Sequence, residues 1–116
     1  MTRRILAAAA AFALIPAAAF AHHGWSSYDA TKVLRITGTL SDVSWGMPHG
    51  TAKTRYQGRV WDVILAPVSR MEARGLTRDM VGPKKKVTLV GYPRSDGTAE
   101  MRIERVIAGG KTVELR

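Results

Sequence analysis

Several stretches between Val33 and Leu115 place apolar residues at every second position, and glycine- or proline-bearing turns separate them. A period of two is the spacing of a strand that buries one face. Leu34, Ile36, Gly38 and Leu40 form the first such run, alternating with Arg35, Thr37, Thr39 and Ser41. The apolar phase then moves to Val43 and Trp45, as a bulge in one long, bent strand requires. Gly46 to Gly50 reads as a turn. Thr51 to Tyr56 is a second predicted strand, reversed at Gln57-Gly58, and Arg59 to Leu65 is a third, with Trp61, Val63 and Leu65 on one face. Pro67 suits the first turn of a short helix over Val68 to Arg74, and Gly75 suits its end. A basic loop, Lys84-Lys85-Lys86, leads into a fourth strand from Val87 to Tyr92. Met101, Ile103 and Val106 mark a fifth. Gly109-Gly110 is a hairpin signal before a short closing strand, Lys111 to Leu115. Three strands, a short helix and two more strands is the order of an OB-type barrel. The expected class is therefore all-β: a small five-stranded OB-like barrel with one short helix between strands 3 and 4. The competing arrangement is an open antiparallel α+β sheet. Closure is favoured because it removes exposed strand edges.

The chain opens on Met1-Thr2-Arg3-Arg4, followed by an apolar run from Ile5 to Phe20 and then Ala19-Phe20-Ala21. A charged start, an apolar middle and an A-x-A site form a secretory signal peptide, here residues 1–21. The apolar run is alanine-rich and carries Pro16. It falls short of the roughly 20 strongly apolar residues of a membrane span, so no transmembrane span is expected after processing. With no cysteine, lipobox anchoring, disulfides and thiolate metal sites are excluded. The expected location is periplasmic. Removing residues 1–21 leaves 95 residues, 22–116, enough for one small domain. It also removes two of the 18 basic residues and none of the nine acidic ones, so the net charge falls from +9 to +7. A surface of that sign attracts anions. Export argues against nucleic acid as the partner.

Six short phrases span the mature chain: Ala21-His22-His23-Gly24, Thr37-Gly38-Thr39-Leu40, Trp45-x-x-Pro48-His49, Arg74 to Asp79, Val87-Thr88-Leu89-x-Gly91 and Asp96-Gly97. As a set they resemble a family of small exported bacterial proteins of unassigned function, with an A-H-H-[SG] mature start and a W-x-x-P-H turn. The resemblance implies an OB-like barrel in the periplasm and names no catalytic residues. The family's turn usually carries Asn before Pro-His, where this chain has Met47.

Cutting after Ala21 makes His22 the N-terminus. Its α-amine and one ring nitrogen can then grip a metal in a small chelate ring, and His23 offers a third nitrogen. Nitrogen-rich tetragonal sites suit Cu(II). Both the amine and imidazole lose their protons readily near neutral pH, so binding weakens in acid. His49, the third histidine, sits in the turn after the first strand. To meet it, the polar arm His22 to Lys32 has to double back along that strand. The expected metal ligands are thus His22, His23 and His49, with copper as the cofactor. Trp25 and Trp45 flank the histidine-bearing segments and are the expected ligand-covering residues. Met71, Met80 and Met101 lie on patterned elements and read as core, as does Trp61. The acidic residues show no paired spacing, and Ser26, Ser27 and Ser95 lack a nucleophile motif, so no enzyme activity is expected. The functional expectation is a non-catalytic periplasmic binding protein, binding copper through its N-terminal histidines. The alternative is a metal-independent OB-type interaction module for a protein, glycan or anionic ligand.

Overall fold

The computed structural model describes residues 24–116; the predicted signal peptide, together with His22 and His23, lies outside the described residues. Seven strands run in chain order: β1 (Leu34–Thr39), β2 (Ser41–Ser44), β3 (Thr51–Tyr56), β4 (Arg59–Ile64), β5 (Lys86–Pro93), β6 (Glu100–Ala108) and β7 (Lys111–Glu114). One short helix, α1 (Val68–Ala73), lies between β4 and β5. The architecture is mostly β, a sheet curled into a half-barrel.

The expectation of five strands is corrected to seven. The long first strand is split, because Leu40 turns its side chain into the core at 4% exposure and Asp42 takes a left-handed φ of 48°. The register between β2 and β3 shifts over the same residues, from Ser41 to Ser44. The closing stretch is a full strand, with β7 paired to β6 from Arg105↔Glu114 to Ala108↔Lys111. In the corrected count the helix follows the fourth strand.

Sheet order is β1-β5-β6-β4-β3-β2, with β7 also on β6. Every pairing is antiparallel except β4 with β6. The two ends of that order, β1 and β2, are joined through Leu40 alone. One bent segment therefore belongs to both margins, and the sheet must curl. At the seam the Thr54 hydroxyl donates to the Thr39 carbonyl at 3.2 Å.

The concave side holds the core. Leu65, Met71, Leu76, Leu89, Met101 and Ile103 are all fully buried. Met71 comes from α1, which ends at Arg74 before Gly75, whose φ is +88°. Burying a side chain of this size contributes roughly 1.5–3 kcal/mol. Met71 and Met101 are core as their pattern predicts, Met80 is half-buried against it, and Met47 is exposed. Two-residue turns close the hairpins where the sequence signals them. Gln57 and Gly58 take φ of 49° and 75°, and Gly109 and Gly110 take 57° and 74°, the positive pair that matches strand twist.

Candidate functional site

The arm ahead of β1 is docked on the sheet. Trp25–Ser27 forms a single 3₁₀ turn, Tyr28 bridges to Arg94, and the arm continues the pairing along β5. The Asp29 N–H donates to the Pro93 carbonyl at 2.8 Å, and the Ser95 N–H to the Ser27 carbonyl at 2.9 Å. Trp25 is the centre of this contact. Arg102 of β6 and Arg116 each hold a guanidinium carbon 4.6 Å from its ring centroid. Tyr92 and Tyr28 meet it edge-on at 6.1 and 6.4 Å. A guanidinium over an indole face is attracted by the ring quadrupole, by about 0.5–2 kcal/mol depending on burial.

Carboxylates tie the rim together. The Tyr28 hydroxyl donates to Glu100 Oε2 at 2.7 Å, and Arg94 reaches the same oxygen at 3.3 Å. The Tyr92 hydroxyl donates to Glu104 Oε2 at 2.9 Å, and Arg116 lies 3.6 Å from Glu104 Oε1. Arg102, at 9% exposure, is one of two buried polar side chains among the described residues. Burial pushes its guanidinium down from its usual value, and the charges of Arg70 and Arg116 act in the same direction.

Both phenols are pushed up. For Tyr28 the main cause is burial, followed by the hydrogen bond and charge of Glu100. For Tyr92 it is the hydrogen bond to Glu104. A phenol whose folded pKa exceeds its unfolded value of about 10 contributes stability that is complete below about pH 10 and is lost as pH rises toward the folded value. The urea midpoint is therefore expected to fall between about pH 10 and 12. Tyr28→Phe should make that fall shallower. Parallel pH profiles for the variant and the parent would contradict the assignment.

The second tryptophan sits elsewhere. Trp45 opens the β2–β3 loop, half-buried, and its indole N–H donates to Glu72 Oε1 on α1 at 3.1 Å. His49 is half-buried in the same loop. Gly50 then continues the β3–β4 ladder beyond its ends, donating to the Ala66 carbonyl at 3.0 Å and accepting from the Leu65 N–H at 2.9 Å. Trp45 and His49 thus share the β2–β3 loop, whereas Trp25 sits against β5 and β6. His22 and His23 lie outside the described residues. Among the described residues no group of three or more His, Asp or Glu side chains could hold a metal ion. Lys84-Lys85-Lys86 is exposed. Trp61 packs against the core and edge-on to Tyr56 at 6.1 Å, with Arg59 over its ring at 5.8 Å.

Sequence reasoning missed Tyr28, Tyr92, Arg102 and Arg116 as partners of Trp25. All except Tyr28 lie more than sixty positions further along the chain. The local signal that could have pointed to them is Arg102 itself, a cation set directly between the apolar Met101 and Ile103.

A family model described as a family of unknown function, DUF6152, matches residues 10–102. The chain belongs to this family. The DUF6152 match takes in Trp25, Tyr28, Tyr92 and Arg102, while β7 and Arg116 lie beyond it. Among curated proteins, none matches the chain. No helix among the described residues is long and apolar enough to cross a membrane.

Proposed function

We propose that this is a non-catalytic periplasmic binding protein that holds Cu(II) at its processed N-terminus. The amine and ring of His22 form the chelate, His23 adds a nitrogen, and an OB-type barrel is the platform. The observation that carries the reading is the clamp on Trp25. Only His23 and Gly24 separate it from His22, so the two Cα atoms can lie no more than ~11 Å apart. Chain held that close to a wall loses less freedom on closing around a metal than a free tail does. Glu100 and Glu104 stand in the same cluster and offset the charge the ion brings.

The OB-type closure is supported by register. A path across the strands from Ser44 passes Thr51, Ile64, Arg102 and Tyr92. It then arrives beside Leu34, on the same bent segment, through the Leu34↔Gly91 pair. A stagger of that kind is the shear that closing a barrel requires. It also shortens the route from the arm to His49. Thr51, two residues past His49, is two strand spacings from Arg102, about 10 Å. The arm therefore approaches the His49 loop across the sheet, with no need to retrace the first strand.

Titration calorimetry of the processed protein with Cu(II) tests the ligand set. His22→Ala should cost about 3 kcal/mol, roughly a hundredfold in affinity, and His23→Ala less. His49→Ala should cost about tenfold if the loop contributes a ligand. If all three variants bind as the parent does, the metal-independent interaction module takes over as the function.

A further inference from the structure

The sheet has an open seam between β1 and β3. β1 pairs with β5 along one edge. β3 pairs with β4 over its whole length, and with β2 at Ser41↔Lys53 and Ser44↔Thr51. Among the described residues, no strand pairs with the outer edges of Leu34–Gly38 or Arg55–Tyr56. The Thr54 hydroxyl on the Thr39 carbonyl is the link beside this opening. A groove of about 400 Å³ lies there, lined by Gly38, Thr39, Ser41, Thr54 and Arg55.

Gly38 is the informative residue. It lies inside β1, where glycine costs roughly 0.5–1 kcal/mol relative to alanine. Its φ is outside the left-handed region, and a Cβ built on it would meet nothing within 4 Å. Neither its backbone conformation nor internal packing calls for glycine. Within a strand a glycine marks a bend or a place where another backbone comes close, and the open space beside Gly38 leaves room for the second.

Charge selects the visitor. Arg35 and Arg55 are exposed on the strands that border the groove, and Lys86 is the register partner of Thr39. None of these three takes part in the ion pairs among the described residues, whereas Lys53 is matched by Asp62 at 2.8 Å. Thr37 and Thr88 add hydroxyls on the same face, 2.9 Å apart.

We propose that this seam takes an extended acidic segment of a partner protein as an added strand. Main-chain hydrogen bonds to the unpaired edges supply affinity, and carboxylates beside Arg35 and Arg55 supply selectivity and register. The site is independent of the copper reading, since no ligand of that metal lies in it.

The probe is a ten-residue peptide of alternating Thr and Glu, titrated into ¹⁵N-labelled protein, with a Thr/Lys peptide and a sulfated polysaccharide as comparisons. The expected result is saturable binding of the Thr/Glu peptide, with the largest amide shifts at Gly38, Thr39 and Arg55. Gly38→Val should weaken binding at least tenfold without lowering the melting temperature. Arg55→Glu should weaken it similarly, and Gly38→Ala should give an intermediate loss. Shifts confined to Lys84–Lys86 would overturn the proposal. So would binding that Gly38→Val leaves intact, or a polysaccharide that shifts the same amides and ignores Gly38→Val, because each makes the contact purely electrostatic.

Discussion

Gly91→Ala is expected to destabilise the fold severely. Gly91 lies on β5 where the β5–β6 register shifts, between Val90 and Gly91. A Cβ there would sit 2.1 Å from the Arg102 carbonyl oxygen, 2.9 Å from its carbon and 3.0 Å from the Ile103 Cα. All three are backbone atoms of β6, so no side-chain rotation relieves the clash. The β5–β6 ladder would have to part, and it carries Leu89, Met101 and Ile103 into the core. Overpacking of this kind costs about 3 kcal/mol or more, against a total of about 5–14 kcal/mol for a domain this size. A melting temperature lower by at least ~12 °C is expected, read by circular dichroism. Gly38→Ala, with open space around the added carbon, is the matched control. A Gly91→Ala melting temperature within a few degrees of the parent would contradict the close approach of the two strands.

Trp25→Ala should release the arm. The substitution removes two guanidinium–indole contacts and two edge-on aromatic contacts at once. Each is worth about 0.5–1.5 kcal/mol. They share one ring and do not add independently, so a net loss of about 2–3 kcal/mol is expected. Hydrogen exchange localises the effect. The amides of Asp29 and Ser95, which bond the Pro93 and Ser27 carbonyls, should lose protection. The Leu89 amide, in the core ladder, should change only with global stability. Unchanged protection at Asp29 and Ser95 would mean that the arm is held without Trp25.

The strands were legible where a local rule is sufficient. Thr51–Tyr56 ends where Gln57-Gly58 can supply two positive φ values, and Gly109-Gly110 does the same before β7. Alternation also identified the buried positions Ile36, Leu40, Val63 and Leu65. The strand count was not legible. The break at Leu40 depends on which way the chain must turn to reach both β5 and β3, a property of the curled sheet and absent from the local pattern. The sequence shows only a polar arm from His22 to Lys32, with no periodicity to say where it docks. Its fixation depends on Tyr92, Arg102 and Arg116, which only the fold brings to Trp25. Trp45 and Trp25 look alike in sequence, each beside a histidine. One is tied to a helix carboxylate and the other to two arginines. Nothing local distinguishes a ring that braces a loop from one that anchors an arm.

We propose that the processed α-amine, carried by an arm clamped through Trp25, is a copper ligand. It is tested most directly by titrating Cu(II) into two forms of the chain that begins at His22, one with a free amine and one with that amine acetylated. Acetylation removes the amine as a donor and leaves His22, His23 and His49 in place. The free form is predicted to bind one equivalent with the paramagnetic resonance spectrum of a nitrogen-rich tetragonal site, and the acetylated form to bind about a hundredfold more weakly. Equal affinity and identical spectra in the two forms would contradict the account.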